Sequence, residues 1–318
     1  MMKRESQRLL RAMVYLVAMA ALSTRLSAVA ETGLSSDTLR KAAWSRLEKR
    51  RSPSWTFTVK DSILFSQDLS GITGYQPNQE QHKHANHVMP RRALGPMPTR
   101  FDWRTRAVGG LTPVRSQGQC GSCWAFATVD VFQDELRIQF GLTPLLSPQE
   151  LVSCDTAFDG CSGGDVAFNY FEKPGATTEA QFPYQARNVS CDQGVSYPYH
   201  ASQWGYVGPA KEVPISVIDT ATIKAALLQY GPLTTALKAT ESLEGYSRGV
   251  FNDCSASTPQ DVNHLVELVG WDDVQGGAWI IKNSWGKDWG ESGYARIKYG
   301  CNAIGTDVAF VVPENPNS

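Results

Sequence analysis

The stretch Gln117-Gly118-Gln119-Cys120-Gly121-Ser122-Cys123-Trp124-Ala125-Phe126-Ala127 changes character at Cys123. Ahead of that residue the chain is rich in turn formers. Behind it, Phe126, Val129, Phe132, Leu136 and Phe140 recur at helical spacing, with Asp130, Asp134 and Arg137 between them. Gly141 is placed to end that helix. A helix start leaves its first backbone N–H groups without partners and concentrates partial positive charge there. A thiol at such a place ionises more easily, and the thiolate is its reactive form. Most of the stripe is core packing, and chemistry falls only to its first residue, Cys123.

Outward from this stretch, 318 residues point to about two units of ~150 residues each. A hydrophobic share of 42% and a charged share of 19% are ordinary for a globular chain. The formal net charge of −1 gives no pointer to nucleic acid. Residues 1–30 read as a secretory signal peptide. Lys3, Arg4, Arg8 and Arg11 precede an apolar run, Ala12 to Leu22, too short to span a bilayer, and Ala28-Val29-Ala30 offers a small-x-small cleavage site. Export implies an oxidising compartment, where cysteines pair. The seven cysteines are an odd number, so one thiol stays free, and six remaining cysteines allow 15 pairings.

Residues 31–96 differ from the rest of the chain. Asp37 is placed to cap a short helix running to Leu47, and residues 55–59 alternate like a strand. Beyond Gly71 the composition is polar and irregular up to Pro90, as in a linker, and Arg91-Arg92 with Gly95-Pro96-Met97-Pro98 marks a boundary. His82, His84 and His87 group there with Lys83 between them and no flanking cluster of cysteines or carboxylates, which reads as solvated surface rather than a metal site. Residues 31–96 carry 10 Lys/Arg against 6 Asp/Glu, a net +4, whereas residues 97–318 carry 15 against 24, a net −9. Opposite charge would draw the two together and weaken as carboxylates protonate, so a segment that docks on the acidic domain and loosens in acid is expected, with a solvated linker as the alternative.

Further along, Ser147-Pro148-Gln149-Glu150 reads as a capping box opening a short helix that ends near Cys154, and a second short helix is expected from Asp165 to Phe171. Asn188-Val189-Ser190 is a glycosylation sequon beside Cys191. A helix spans Thr220 to Tyr230, stopped by Gly231-Pro232. Short apolar runs at Leu233–Ala239, His264–Trp271, Ala278–Lys282 and Tyr294–Lys298 then read as a mainly antiparallel sheet or barrel.

Cys120-Gly121-Ser122-Cys123-Trp124 resembles the local signature of papain-family cysteine proteases of the cathepsin B/L kind. Val262-Asn263-His264-Leu265, with its histidine 141 residues after Cys123, and Asn283-Ser284-Trp285-Gly286, 160 residues after it, resemble that family's later motifs. The resemblance implies an α+β, two-lobed papain-like fold: a helical left lobe over about 114–205, an antiparallel β-barrel right lobe over about 206–312, and a cleft between them. It divides the chain into a signal peptide at 1–30, a short inhibitory propeptide at 31–96 and a mature peptidase domain at 97–318. It pairs Cys120 with Cys161, Cys154 with Cys191 and Cys254 with Cys301, which leaves Cys123 free.

Roles are implied one residue at a time. Cys123 is the implied nucleophile, held as thiolate by His264, and Asn283 orients the imidazole under the cover of Trp285. Gln117 and the Cys123 backbone N–H are the implied oxyanion donors. Gly163 and Gly164 offer backbone hydrogen bonds to an extended substrate. Leu265, where the family commonly has a small residue, makes the pocket for the second residue before the scissile bond shallower. The bottom of that pocket falls on Asp307 if the chain is aligned on Ile304, and on Thr306 if counted from Cys301; an acidic residue there admits a basic side chain. The expected activity is that of a secreted cysteine endopeptidase zymogen, located in a lysosome or vacuole or outside the cell. Its implied partners are protein and peptide substrates, its own propeptide and cystatin-type inhibitors, acting on a monomer with no membrane attachment after signal removal. Neither metal nor cofactor is called for. The alternatives are a catalytically inactive papain-like binding protein, from which intact Cys123 argues away, and an acyl-transferring relative.

Overall fold

The central helix is the element on which the site is built, and its burial explains its composition. In a computed structural model that describes residues 54–57, 69–91, 95–192, 194–209, 216–254 and 258–316, every residue from Cys123 to Leu136 is buried. A helix buried all round must be apolar all round or satisfy its polar groups internally. The expected leader at 1–30, the expected helix at 37–47 and residues 58–59 of the expected strand lie outside the described residues.

The leading segment contributes a strand β1 (Trp55–Phe57), a helix α1 (Gln79–His84) and a strand β2 (His87–Val88). The stretch expected as a linker from Gly71 to Pro90 is therefore ordered and docked. Helix α1 is capped by Asn78, whose side-chain oxygen accepts from the N–H groups of Glu80 and Gln81 at 3.1 Å. Six residues are too few to form a periodic pattern or a stable isolated helix, so the order comes from docking.

Next come β3 (Arg100–Asp102) and α2 (Trp103–Arg106), with Asp102 capping α2 by accepting from Arg104 N at 2.9 Å. Helix α3 (Cys123–Phe140) ends as the glycine implied: Gly141 has φ 69°, and its N–H donates to Arg137 O at 2.9 Å. Helix α4 (Pro148–Cys154) has the Ser147 cap, with Glu150 N donating to Ser147 Oγ at 3.2 Å. The reciprocal half of the capping box is missing, because Glu150 Oε2 instead accepts from Thr177 N at 2.9 Å. Helix α5 (Phe168–Glu172) starts three residues later than expected, since the Asp165 carboxylate is used elsewhere.

The second half supplies β4 (Ala201–Val207), α6 (Thr220–Tyr230), β5 (Leu233–Leu237), α7 (Glu241–Glu244), β6 (Tyr246–Phe251), β7 (His264–Asp272), β8 (Ala278–Lys282), β9 (Tyr294–Lys298) and β10 (Thr306–Pro313). The strand order is β1-β6-β9-β8-β7-β5-β10-β4-β2, with β3 against β7. Pairs β2–β4 and β6–β9 are parallel and the other pairs are antiparallel. Of the antiparallel sheet or barrel expected, the described strands form an open, mainly antiparallel sheet. Its two outermost strands, β1 and β2, both come from the leading segment.

Strands β5, β7 and β10 divide two hydrophobic cores by their period-two alternation. Leu233, Leu237, Val266, Leu268, Val308 and Phe310 face one core, with Trp271, Trp279 and Ile281. Ala236, Leu265, Ala309 and Val311 face the other, against α3. These strands are buried on both faces, with Thr234, Thr235, Glu267, Thr306 and Asp307 among their buried residues. Beneath the site, Lys282 Nζ binds Asp134 Oδ2 at 2.9 Å, Glu267 Oε2 at 3.1 Å and Thr112 Oγ1 at 2.9 Å. Burial opposes its charge, but Asp130, Asp134 and Glu267 hold the ammonium protonated. This cluster ties α3 to the strand that leads into Asn283.

Candidate active site

Ser122 stands at the N-cap of α3 but does not cap it with its side chain. Its hydroxyl meets Tyr184 Oη at 2.6 Å, and Tyr184 in turn donates to Gln117 O at 2.7 Å. The first amides of α3 are therefore left without a side-chain cap from Ser122 where Cys123 sits. The loop before the helix is pinned by the Cys120–Cys161 bridge and by Gly121 N donating to Cys161 O at 2.9 Å. The Cys154–Cys191 and Cys254–Cys301 bridges are also formed, and Cys123 is the free thiol.

His264 opens β7 and Asn283 follows β8, its neighbour in the sheet. His264 Nε2 donates to Asn283 Oδ1 at 2.7 Å, and the same oxygen accepts Ser284 N at 2.8 Å, which fixes the amide orientation. Nδ1 is then the unprotonated ring nitrogen of the neutral imidazole, and it is buried without a hydrogen-bond partner. Trp285 lies 4.7 Å from the imidazole, centroid to centroid. Gln117 is buried, with Oε1 accepting from Ser284 Oγ at 2.6 Å and Nε2 donating to Cys120 O at 2.8 Å. His200, the other histidine beyond the leading segment, packs beside Gly175 instead.

The leading segment covers this group. Gly164 N donates to Gly74 O and Gln76 N donates to Gly164 O, both at 2.9 Å, so Tyr75 pairs in parallel with Gly164. Tyr75 N also donates to Asn263 O at 3.0 Å, and Trp285 Nε1 to Ile72 O at 3.2 Å. A Cβ on Gly74 would overlap the Gly121 carbonyl oxygen, so only glycine permits this approach. Of the two glycines expected to meet an extended peptide, Gly164 alone makes the pairing. Gly163 donates to Gly160 O at 3.3 Å and accepts from Asp159 N at 3.0 Å within its own loop.

Under this cover the thiol and imidazole are both driven to their neutral forms. Burial pushes the Cys123 thiol up to about 11, only partly offset by backbone hydrogen bonds of Leu265 and Gly74. Burial likewise brings His264 down to about 4 against the opposing hydrogen bond to Asn283.

Leu265 is fully buried in the same apolar cluster as Tyr75 of the leading segment. Thr306 and Asp307 differ in orientation. The Thr306 hydroxyl turns back to Ala303 O at 2.6 Å, while the Asp307 carboxylate accepts from the Tyr75 hydroxyl and lies 3.4 Å from His82 Nε2. Asp307 has φ 47°, a left-handed conformation rare for a non-glycine residue, at an irregularity in the β10–β5 register. His82, expected in solvent, is only 5% exposed. Asn188 is exposed, and its side-chain oxygen accepts from Cys161 N at 2.8 Å.

Sequence reading missed Tyr184, Ser122, Asp165 and the docked residues Gly74, Tyr75 and His82. For Gly74 alone a signal was at hand, a glycine in a polar stretch; the others act through partners tens of residues away.

The described residues thus hold a free thiol at the start of a buried helix and an imidazole oriented by an asparagine amide. The family described as papain family cysteine protease matches residues 97–313, and the chain belongs to that family. It is 38% identical over 226 residues to the cysteine endopeptidase RepA of Oryza sativa subsp. japonica, covering 69% of this chain and 56% of that protein. To the pro-cathepsin H of Mus musculus it is 36% identical over 277 residues, covering 82% and 79%. The solved structure of digestive procathepsin L 3 of the Tenebrio molitor larval midgut superposes with a TM-score of 0.68 at 29% identity, over 88% of this chain and 93% of that one. The chain thus spans little more than half the length of RepA.

Proposed function

We propose that the chain is the zymogen of a cysteine endopeptidase, with residues 31–96 as its inhibitory propeptide and residues 97–318 as the peptidase domain. The observation that carries this reading is the 2.7 Å His264–Asn283 contact lying beneath a segment paired to Gly164. Loss of that segment readmits water, which removes the burial that keeps Cys123 and His264 neutral. The Cys123 proton then passes to His264 Nδ1, whose lone pair has no other partner. The thiolate attacks the scissile carbonyl carbon, and the oxyanion is held by the Cys123 backbone N–H and the second Nε2 proton of Gln117. His264 gives its proton to the leaving amine and then activates the water that cleaves the thioester, returning the thiol.

In the same reading, Leu265 and Asp307 line the pocket for the second residue before the scissile bond, and Asp307 admits basic side chains there. Residues 1–30 direct the chain to the secretory pathway, and lysosome, vacuole or extracellular space is its destination. No helix among the described residues is long and apolar enough to cross a membrane. Asn188 carries glycan in a eukaryotic host, its side-chain nitrogen being the modified atom.

The test is to mature the zymogen, treat it with an epoxide thiol inhibitor and map the adduct. The expected result is modification at Cys123 with loss of peptide hydrolysis. An unmodified Cys123 or undigested substrate would overturn the reading, and transfer of the acyl group to an added amine in place of water would replace hydrolysis with acyl transfer.

A further inference from the structure

The prosegment inserts one side chain between two carboxylates. His82 Nε2 lies 3.5 Å from Asp165 Oδ2 and 3.4 Å from Asp307 Oδ1, and its ring stacks on Tyr206 with centroids 3.9 Å apart and planes at 18°. Its Nε2 is buried and makes no directed hydrogen bond, so the contact is one of charge. Burial opposes protonation of His82, but Asp165 and Asp307 outweigh it and raise its pKa.

The other partners of this pocket belong to the prosegment too. The second Asp307 oxygen takes the Tyr75 hydroxyl, Asp165 Oδ2 accepts Asn78 N at 2.7 Å, and the Tyr206 hydroxyl accepts Gln81 Nε2 at 2.9 Å. Asp165 Oδ1 alone is held from within the peptidase domain, by Val166 N at 2.7 Å. Departure of the prosegment therefore leaves three carboxylate oxygens and an aromatic face converging on one space. Two carboxylates this close repel: burial first, then the charge of Asp165, push Asp307 up to about 7. Such a space calls for a cation.

Tyr75, the residue opposite Gly164, reaches Asp307. A substrate residue paired with Gly164 would project its side chain into the same space. We propose that Asp165, next to the Gly164 edge, is a second specificity carboxylate, and that it and Asp307 together clasp an arginine side chain laid flat on Tyr206. This rests on the endopeptidase reading above and deepens its account of Asp307. Guanidinium fits better than ammonium because it is planar, stacks on aromatic faces and offers several donors in a fork. In the zymogen the imidazole of His82 holds that place.

The test uses matured enzyme, with active sites counted by epoxide titration, and reporter peptides differing only in Arg, Lys or Leu at the second position before the cleaved bond. Wild-type enzyme is expected to prefer Arg to Lys. Asp165→Asn, which keeps the Val166 contact, is expected to lower kcat/KM for Arg by about tenfold or more, since hydrogen bonds to charged groups contribute ~1.5–3 kcal/mol. The Leu reporter should change less than about twofold, which also reports intact folding. An Arg-to-Leu ratio unmoved by Asp165→Asn overturns the inference. If Asp307→Asn moves that ratio where Asp165→Asn does not, Asp165 falls and the single-carboxylate reading stands. If neither moves it while Leu peptides are still cleaved, the acidic pocket falls and the protease reading survives.

Discussion

Cys123, His264 and Asn283 each lie inside a short local pattern, which is why the candidate site was legible in the sequence. Gln117 was legible for the same reason, six residues ahead of the thiol. Its amide is held by Ser284 Oγ and Cys120 O before any substrate arrives, which preorganises it for the oxyanion role proposed above. Gln117→Ala is expected to lower kcat by about 10²–10³-fold with little change in KM, the loss typical of one such donor; steady-state kinetics on active-site-titrated enzyme checks it. The protonation state was not legible, because burial of the thiol depends on a segment some 50 residues upstream. A thiol pushed up to about 11 supplies almost no thiolate at neutral pH, and thiolate rises with pH. Alkylation of Cys123 in the intact zymogen should therefore be slow at pH 7 and accelerate steeply above pH 9. In matured enzyme it should proceed readily near pH 6. Equal rates in the two forms at pH 7 would refute the argument.

At the level of elements, the sequence revealed what periodicity can carry. Helix α3 has both a repeating apolar face and a glycine stop, and strands β5, β7, β8 and β9 keep enough apolar residues, in runs or in alternation, to read through Glu267, Gly270 and Arg296. Strands β4, β6 and β10 escaped notice because glycine or a charged residue breaks each run: Gly205, Gly249 and Asp307. Gly249 is needed where β1 crosses, since a Cβ there would press on Ser54 O. The Glu150 reading went astray because a capping partner competes with any other orphan donor nearby, here Thr177 N–H. Gly74 offers the clearest test at this scale. Gly74→Ala places a methyl against the Gly121 carbonyl and should loosen the segment without touching the peptidase domain. Faster maturation and measurable activity in the unprocessed chain are the expected outcomes, read by band shift and by reporter hydrolysis in a cleavage-resistant background.

For the molecule as a whole, the charge asymmetry between leading segment and peptidase domain points to attraction, but the docked interface uses it sparingly. Among the described residues, Lys83 pairs with Glu80 in its own helix, and Arg91 offers its backbone N–H to Gln229. Backbone pairing, side-chain hydrogen bonds from Tyr75 and Gln81, and His82 do the holding. Their pH signs oppose each other. His264, depressed to about 4 under cover, favours docking above its free pKa of about 6.5 and loses that contribution as pH falls towards 4. His82, raised by its carboxylates, strengthens docking in acid and loses that contribution as pH rises through its docked pKa. His82→Asn should therefore speed maturation more at pH 5 than at pH 7.5. Equal acceleration at both values would show that the histidine acts only by its shape.

The position of β1 and β2 gives maturation a second meaning. Because both outer strands of the sheet are supplied by the segment proposed as the propeptide, its removal would turn two shielded margins, β6 and β4, into open ones. Bare strand margins carry unpaired amides that invite another chain. The mature form should consequently crowd less well than its precursor, with light scattering at matched concentration rising after the segment departs.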